Sequence, residues 1–241
     1  MHSCTSLTSD PRQNRLLAAL PPAQWLRWQP QLEAVELRSG QVLAEAGSVP
    51  AHVTFPTTAI VSLTYTTAQG ESAEFAVVGN DGMVGLSLFM GGDATSSRAV
   101  VQSAGQGYRL RAQAFRGEVH LAGPGLQILL GYAQALMAQV AQTAMCNRYH
   151  SIDQQFSRRL LLSLDRSASD ELLMTQESVA HLLGVRREGV TAAALKLLQA
   201  GVISYRRGRI AVLDRRRLEQ HSCECYAVTR QEHVRPLPMA A

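Results

Sequence analysis

The sequence predicts an α+β fold, in which an N-terminal antiparallel β jelly roll is followed by a long helix and a C-terminal winged helix-turn-helix. Three observations lead to this prediction. Short β-type runs with glycine turns between them fill residues 32–112, a helical pattern without proline covers 125–150, and two helical patterns flank Gly184 before an Arg-Gly hairpin. Many short strands at nearly regular spacing are typical of antiparallel sandwiches and jelly rolls.

The elements divide the chain into four segments. Two short helical pieces around Pro21-Pro22 precede the β-type runs, and the pattern turns helical after Ala112. We assign residues 1–122 to a β-roll sensor domain, 123–152 to a dimerisation helix, 153–228 to a winged helix-turn-helix domain and 229–241 to a flexible tail.

Length and composition fit two modest globular domains. The chain has 241 residues, 46% of them hydrophobic and 17% charged, which separates it from disordered chains. No apolar run reaches the roughly 18 residues that a membrane-spanning helix needs, and the N-terminal stretch MHSCTSLTSDPRQNR lacks the apolar segment of a signal peptide. We therefore expect a cytoplasmic protein with no membrane partner.

Positive charge is concentrated in the C-terminal part of the chain. Residues 1–155 carry 9 basic and 10 acidic side chains, whereas residues 156–241 carry 14 basic and 9 acidic ones. Such an asymmetry indicates a polyanionic partner for the second part.

The helical pattern over 125–150 contains a seam of coiled-coil type. It alternates four- and three-residue steps and is apolar at first and polar at its C-terminal end; its members are Leu129, Ala133, Leu136, Val140, Thr143, Asn147 and His150. A seam of this length favours a dimer helix, and hence a homodimer. The alternative is a helix that packs on its own β-roll, which produces the same periodicity.

The segment TQESVAHLLGVRREGVTAAALKLLQAGVI predicts a helix-turn-helix. Thr175 can cap the first helix, and Gly184 allows the sharp turn. The apolar positions of both helices repeat at helical spacing and are Val179, Leu182, Leu183, Val190, Ala194, Leu197 and Leu198. With that face buried, Arg187, Glu188, Thr191 and Ala192 lie on the exposed face of the second helix, where a recognition helix meets base edges.

These side chains suit DNA chemically. Arginine donates twice to guanine, and glutamate accepts a hydrogen bond from the cytosine amino group. Arg186 precedes the helix and is positioned for a phosphate, which the helix N-terminus also favours. Behind the helix, Arg206, Arg207 and Arg209 surround Gly208 in a predicted hairpin, or wing. A solvated charged turn is the plainer interpretation of the hairpin, but its place beside a recognition helix favours phosphate contact.

The order of β-roll, long helix, helix-turn-helix and wing resembles the CRP/FNR superfamily of bacterial transcription regulators over residues 15–228. The resemblance implies a homodimer on a pseudo-palindromic site in double-stranded DNA, with RNA polymerase as a protein partner. It implies base contacts for Arg187 and Glu188 and a phosphate contact for Thr175. Cyclic-AMP-responsive members carry a second arginine where this chain has Ala192, so a different operator is expected.

The effector is less well defined than the DNA site. Members that bind cyclic nucleotides hold the ribose with a Gly-Glu-x-Gly turn and the phosphate with an Arg-Ser pair. Here Gly82-Met83-Val84-Gly85 keeps the glycines but has Met83 at the glutamate position, and Ser97-Arg98 offers its arginine one residue out of step. A one-residue slip turns a side chain to the other face of a strand. The resemblance therefore predicts a pocket for an unknown effector other than cyclic AMP, or for none.

The cysteines predict neither a disulfide framework nor an iron–sulfur cluster. They are Cys4, Cys146, Cys223 and Cys225, and only one lies near the N-terminus, where the oxygen sensors of the family hold most of their cluster ligands. His221, Cys223 and Cys225 are weak candidates for a zinc site or a redox pair, because the sequence offers them no evident fourth ligand. Inert surface thiols are the plainer interpretation, and we predict no cofactor.

Two alternatives to a DNA-binding regulator stay open at this point. One is a ligand-binding signalling module whose helix-turn-helix serves protein contacts, and the other is a metal or redox sensor that uses the C-terminal cysteine pair. We find no nucleophile motif and no phosphate-cradling loop, so an enzyme is not expected.

Overall fold

The computed structural model describes residues 10–92, 94–120, 123–167 and 169–234, and Cys4 lies outside them. Two short helices open the described part, α1 (Arg15–Ala19) and α2 (Pro22–Trp28). Their break falls at the predicted Pro21-Pro22 pair, because proline is accepted at the start of a helix and not within it.

An antiparallel β-roll follows, as predicted. Its strands in the described residues are β1 (Glu33–Leu37), β2 (Val42–Ala44), β3 (His52–Pro56), β4 (Ile60–Thr66), β5 (Ser72–Val78), β6 (Arg98–Ser103) and β7 (Gly105–Arg111). They form two sheets, ordered β1-β7-β3 and β2-β6-β4-β5. In the core, the Trp28 ring packs on the rings of Phe55 and Phe115, with centroids 6.0 Å and 5.7 Å away.

Three helices connect the β-roll to the C-terminal part: α3 (Ala112–His120), α4 (Pro124–Tyr149) and α5 (Ile152–Leu164). One face of α4 packs on the β-roll, where the Tyr132 hydroxyl donates to the Met83 carbonyl at 2.7 Å. Ser151 caps α5 and forms a capping box with Gln154. No helix in the described ranges combines the length and hydropathy that crossing a bilayer requires.

The predicted dimer seam is wrong for most of its residues. Leu129, Ala133 and Leu136 are buried, and Leu129 and Leu136 belong to the core of the β-roll. Thr143 is partly buried and donates to the Gln139 carbonyl, while Val140 lies at the edge of the exposed face. The apolar residues do repeat at coiled-coil spacing, but the stripe that they form packs on the β-roll of the same chain.

The C-terminal part is a winged helix-turn-helix followed by two further helices. Its elements are β8 (Glu171–Leu173), α6 (Gln176–Leu183), α7 (Arg187–Gln199), β9 (Ile203–Arg206), β10 (Arg209–Val212), α8 (Arg215–His221) and α9 (Glu224–Val234). The three strands form one antiparallel sheet, ordered β8-β10-β9. Asp214 caps α8 through its carboxylate, which accepts from the Arg217 N–H at 2.9 Å.

The prediction of a flexible tail from residue 229 is wrong as far as Val234, because α9 is an ordered helix that packs against α4 and α5. Thr229 is fully buried, and its hydroxyl donates to the Cys225 carbonyl at 2.8 Å. The Tyr226 hydroxyl lies 3.0 Å from a carboxylate oxygen of Asp165, the residue that follows α5. These contacts fix α9, and local sequence does not reveal them.

Two buried ion pairs join α5 and the residues just after it to the β-roll. Arg159 lies 2.7 Å from Glu74 on β5, and Arg166 lies 2.7 Å from Asp81. All four side chains are more than nine-tenths buried. Burial lowers the pKa of Arg159, and the neighbouring Glu74 carboxylate opposes that effect. The winged part is therefore attached to the β-roll by charge as well as by apolar packing.

Candidate DNA-binding site

The helix-turn-helix has the predicted geometry. Helix α6 ends at Gly184, whose φ of 64° is in the left-handed region that glycine adopts readily. Val179, Val190 and Ala194 are completely buried between the helices, as their spacing predicted. Because these residues face inward, the opposite face of α7 is turned to solvent.

The N-terminus of α6 is capped by Thr175, as predicted. The Thr175 side-chain oxygen accepts from the Ser178 N–H at 3.0 Å, and the Ser178 hydroxyl lies 3.0 Å from the Thr175 N–H. The Thr175 oxygen acts as an acceptor there, so the cap does not use its hydroxyl proton. Thr175 is exposed, which leaves that hydroxyl able to donate to a phosphate.

The start of α7 carries charge that the fold does not use. Arg186, Arg187 and Glu188 are exposed, and none of them forms an ion pair with a described residue. Ala192 is exposed on the same face. Leaving two arginines and a glutamate unpaired beside a helix N-terminus gives α7 both donors and an acceptor for a partner.

Thr191, which was predicted to contact bases, uses its hydroxyl proton within the protein. Its hydroxyl donates to Gln176 Oε1 at 2.7 Å, and the Arg187 carbonyl lies 3.0 Å away. The donor of Thr191 is therefore committed within the protein, where it fixes α7 against the start of α6. Gln176, which the sequence did not single out, supplies that link.

The wing is a tight hairpin between β9 and β10. Arg207 and Gly208 form its two-residue turn with φ of 45° and 78°, the positive angles that such turns need. Arg206, Arg207 and Arg209 are all exposed. Arg209 lies 3.3 Å from Glu171, whereas Arg206 and Arg207 form no ion pair with a described residue.

The wing and the recognition helix flank the N-terminus of α6. A β-carbon at Gly208 would lie 3.4 Å from the Thr175 methyl, and the Met174 N–H donates to the Gly208 carbonyl at 2.9 Å. On the other side, Gln176 accepts from Thr191 of α7. The unpaired arginines of both elements thus share one basic surface, which we call the arginine surface: Arg186, Arg187, Arg206 and Arg207.

The residues predicted for an effector pocket lie in different surroundings. Met83 is 1% exposed within the core, and a β-carbon at Gly82 would lie 2.5 Å from the Tyr132 ring. Arg98 lies on the outer face of β6 and pairs with Glu45 at 3.2 Å, while its neighbour Ala99 points into the core. The predicted slip of one residue explains this placement. Ser97 is partly buried near Thr95, and Gly85 packs beside the His52 carbonyl.

The C-terminal cysteines have partners that the sequence did not reveal. Cys223 and Cys225 lie next to Cys146 and His150, the last turn of α4 and its cap. His221, the third predicted ligand, is exposed and is not part of this group. The signal in the sequence was the four-residue spacing of Cys146 and His150, which places both on one face of a helix.

Two family descriptions match the chain. Residues 34–120 match the cyclic nucleotide-binding domain, and residues 158–221 match the Crp-like helix-turn-helix domain. No curated protein sequence matches the chain significantly.

Several solved structures share the fold. FixK2 from Bradyrhizobium japonicum is 14% identical, with a TM-score of 0.67 over 80% of this chain and 98% of that one. A CRP/FNR-family transcriptional regulator from Thermus thermophilus is 18% identical, with a TM-score of 0.62 over 79% and 98%. The c-di-GMP-responsive global regulator CLP of Xanthomonas campestris is 14% identical, with a TM-score of 0.61 over 80% and 99%.

Proposed function

Because the chain belongs to the CRP/FNR superfamily of transcription regulators, we propose that it binds a pseudo-palindromic site in double-stranded DNA as a homodimer. Two copies of α7 would enter successive major grooves about 34 Å apart. We propose RNA polymerase as the protein partner, and we propose that this chain acts in the cytoplasm.

The arginine surface carries this proposal. Four exposed arginines without ion pairs stand on both sides of the α6 N-terminus, where Thr175 adds a hydroxyl donor. Arginines of the wing and Arg186 suit phosphates, which supply most of the affinity for DNA, whereas Arg187 and Glu188 at the start of α7 suit base edges.

Selection of bound fragments from a random DNA pool tests the proposal directly. We expect enrichment of one palindromic sequence whose half-sites are about one helical turn apart. Failure of the purified protein to retain any DNA fragment, even at low salt, would contradict it and would favour a helix-turn-helix that serves protein contacts.

The homodimer is supported by a second stripe on α4. It runs beside the buried one at the same alternating four- and three-residue steps, and its apolar members are Leu130, Met137, Ala141 and Ala144, all exposed. An exposed apolar stripe of this length on a 26-residue helix is what a two-stranded coiled coil buries. A second copy of α4 presents the same stripe and covers it with two-fold symmetry.

Replacing Met137 with glutamate tests the dimer. Met137 is 59% exposed in the single chain, and its burial in a dimer is worth about 1.5–3 kcal/mol. We expect the dimer dissociation constant to rise about 10- to 100-fold by sedimentation equilibrium.

Met90→Glu is the matched control, because Met90 is 61% exposed and lies outside α4. It should leave the dimer intact. Equal behaviour of the two variants would argue against the α4 stripe as the interface.

Wing contacts are tested by the salt dependence of binding. Replacing Arg207 with alanine removes one proposed phosphate contact per protomer, so the slope of log K against log salt should become shallower by about 2 for the dimer. Operator and random DNA should be affected alike, as measured by fluorescence anisotropy. Arg38→Ala, at an exposed arginine in the turn after β1, should leave the slope unchanged, and an unchanged slope in Arg207→Ala would exclude the wing from phosphate binding.

Control by an effector, where it operates, is proposed to use a ligand other than cyclic AMP. Met83 takes the place of the ribose-binding glutamate and is buried, and Arg98 is paired with Glu45 on the outer face. Met83 has no oxygen to accept a hydrogen bond from a ribose hydroxyl, and Arg98 is directed away from the interior of the β-roll. An effector acts by binding two conformations with different affinity, and the α4 stripe is the element whose arrangement we propose it shifts.

A further inference from the structure

Four potential metal ligands meet where the end of α4 faces the start of α9. The ligand atoms of Cys146, His150, Cys223 and Cys225 all lie within 4.8 Å of one another. The three cysteines are free and buried, and His150 is partly buried. They come from two places 73 residues or more apart in sequence, so only the folded chain brings them together.

The spacing of these atoms fits a tetrahedral centre. Zinc–sulfur bonds of about 2.3 Å and a zinc–nitrogen bond of about 2.0 Å place tetrahedral ligand atoms roughly 3.5–3.8 Å apart. Cys146 Sγ lies 3.6 Å from Cys223 Sγ, and Cys225 Sγ lies 3.5 Å from His150 Nδ1. Thiols that pack only as apolar groups do not require a histidine nitrogen beside them. The position of His150 Nδ1 therefore favours a metal site over simple packing.

The orientation of His150 has the features of a ligand histidine. Its Nε2 lies 3.2 Å from the Glu224 carboxylate, which leaves Nδ1 facing the cysteine sulfurs. Metal-bound histidines commonly donate their other ring N–H to a carboxylate in this way. Gln155 supports the same turn by donating to the His150 carbonyl at 2.9 Å.

The charge around the cluster also fits a metal site with a net negative charge. Arg158 is 6% exposed and forms no ion pair with any described residue, although it lines the same small cavity as Cys146. A buried guanidinium without a counter-charge is costly. Three thiolates around one divalent ion carry a net charge of −1, which would compensate it. Cys223 immediately precedes α9, where the helix N-terminus favours a thiolate.

We propose that Cys146, His150, Cys223 and Cys225 bind one zinc ion in a closed Cys3His site. Binding converts the three thiols to thiolates and releases their protons to solvent. Two of the ligands, Cys146 and His150, lie at the end of α4, before the α4–α5 junction at His150-Ser151. The other two, Cys223 and Cys225, follow the wing, so the site links the two sides of that junction. Zinc would therefore clamp the C-terminal helix of the winged part to the end of α4.

Zinc content of the purified full-length protein tests this proposal. We expect one zinc per chain by elemental analysis, and Co²⁺ exchanged into the protein should produce the visible absorption of a tetrahedral thiolate site. Competition with a chelating dye should give an affinity that falls at least about 100-fold in Cys146→Ser and in His150→Ala. His221→Ala, a histidine at the exposed end of α8, is the matched control and should bind zinc as the unaltered chain does.

Four results would overturn the zinc proposal. Folded full-length protein that takes up neither zinc nor cobalt would overturn the proposal, as would equal losses in His150→Ala and His221→Ala. An iron–sulfur chromophore, or a Cys146–Cys223 disulfide that forms in a chain without metal affinity, would also overturn it. Should Cys146→Ser fail to fold, the cobalt spectrum of the unaltered chain and the zinc affinity of His150→Ala still decide. DNA binding does not enter the readout, so failure of either proposal is distinguishable from failure of the other.

Discussion

Replacing Arg187 with alanine should weaken binding to the operator by about 2–6 kcal/mol per dimer while leaving binding to random DNA almost unchanged. Arg187 is the first residue of α7, exposed and without an ion pair among the described residues. A bidentate arginine–guanine contact is worth about 1–3 kcal/mol of discrimination, and a dimer makes it in both half-sites. Titration of operator and random duplexes at one salt concentration measures both affinities.

The neighbouring Arg186→Ala is the control for this experiment. Arg186 occupies the N-cap position of α7 without a side-chain capping bond and is equally exposed, and it is assigned to a phosphate. Its loss should weaken operator and random DNA to a similar extent, because phosphate contacts carry no sequence information. If Arg187→Ala behaved in the same way as Arg186→Ala, Arg187 would be a phosphate contact and the base would be read elsewhere.

Replacing Glu74 with glutamine should lower the free energy of unfolding by about 3–5 kcal/mol. The substitution keeps the shape of the side chain but leaves the Arg159 guanidinium without its carboxylate, although both groups are more than nine-tenths buried. Breaking a buried pair at one partner is strongly destabilising, since the remaining charge stays uncompensated. Urea denaturation should show a lower midpoint with little change in slope.

Glu45→Gln is the matched control for Glu74→Gln. Glu45 pairs with Arg98 at 3.2 Å, but both side chains are about half exposed. Exposed pairs contribute roughly 0–1 kcal/mol because water screens them, so this variant should unfold almost as the unaltered chain does. Similar urea midpoints for the two variants would mean that the buried Arg159–Glu74 pair adds no net stability.

The helix-turn-helix and the wing, which we propose to contact DNA, were predictable because their signals are local. The cap at Thr175, the left-handed turn at Gly184 and the hairpin at Arg207-Gly208 each depend on residues within a few positions of one another. The buried face of α7 follows from helical periodicity alone. Once that face is fixed, Arg187 and Glu188 can only lie on the opposite side. Thr191 was the exception, since its hydroxyl found a partner on another helix.

Helix α4 shows where periodicity stops being sufficient to assign an interface. Helix α4 carries two adjacent stripes with the same alternating steps, one through Leu129 and Leu136 and one through Leu130 and Met137. Both stripes satisfy a coiled-coil pattern. The sequence therefore predicted a seam on α4 but could not show which of the two stripes faces solvent. The β-roll decided this by covering the more apolar stripe.

By itself, the sequence determined the order of the elements, the recognition helix and the basic wing, because hydrophobic period, capping and turn chemistry act over short distances along the chain. Only the tertiary structure decided which face of α4 is free, which arginines are buried in ion pairs, and which residues join the Cys223–Cys225 pair. Those outcomes depend on contacts between segments far apart in sequence. Cys146 and His150 reach that pair only because α9, predicted to be loose, packs along α4.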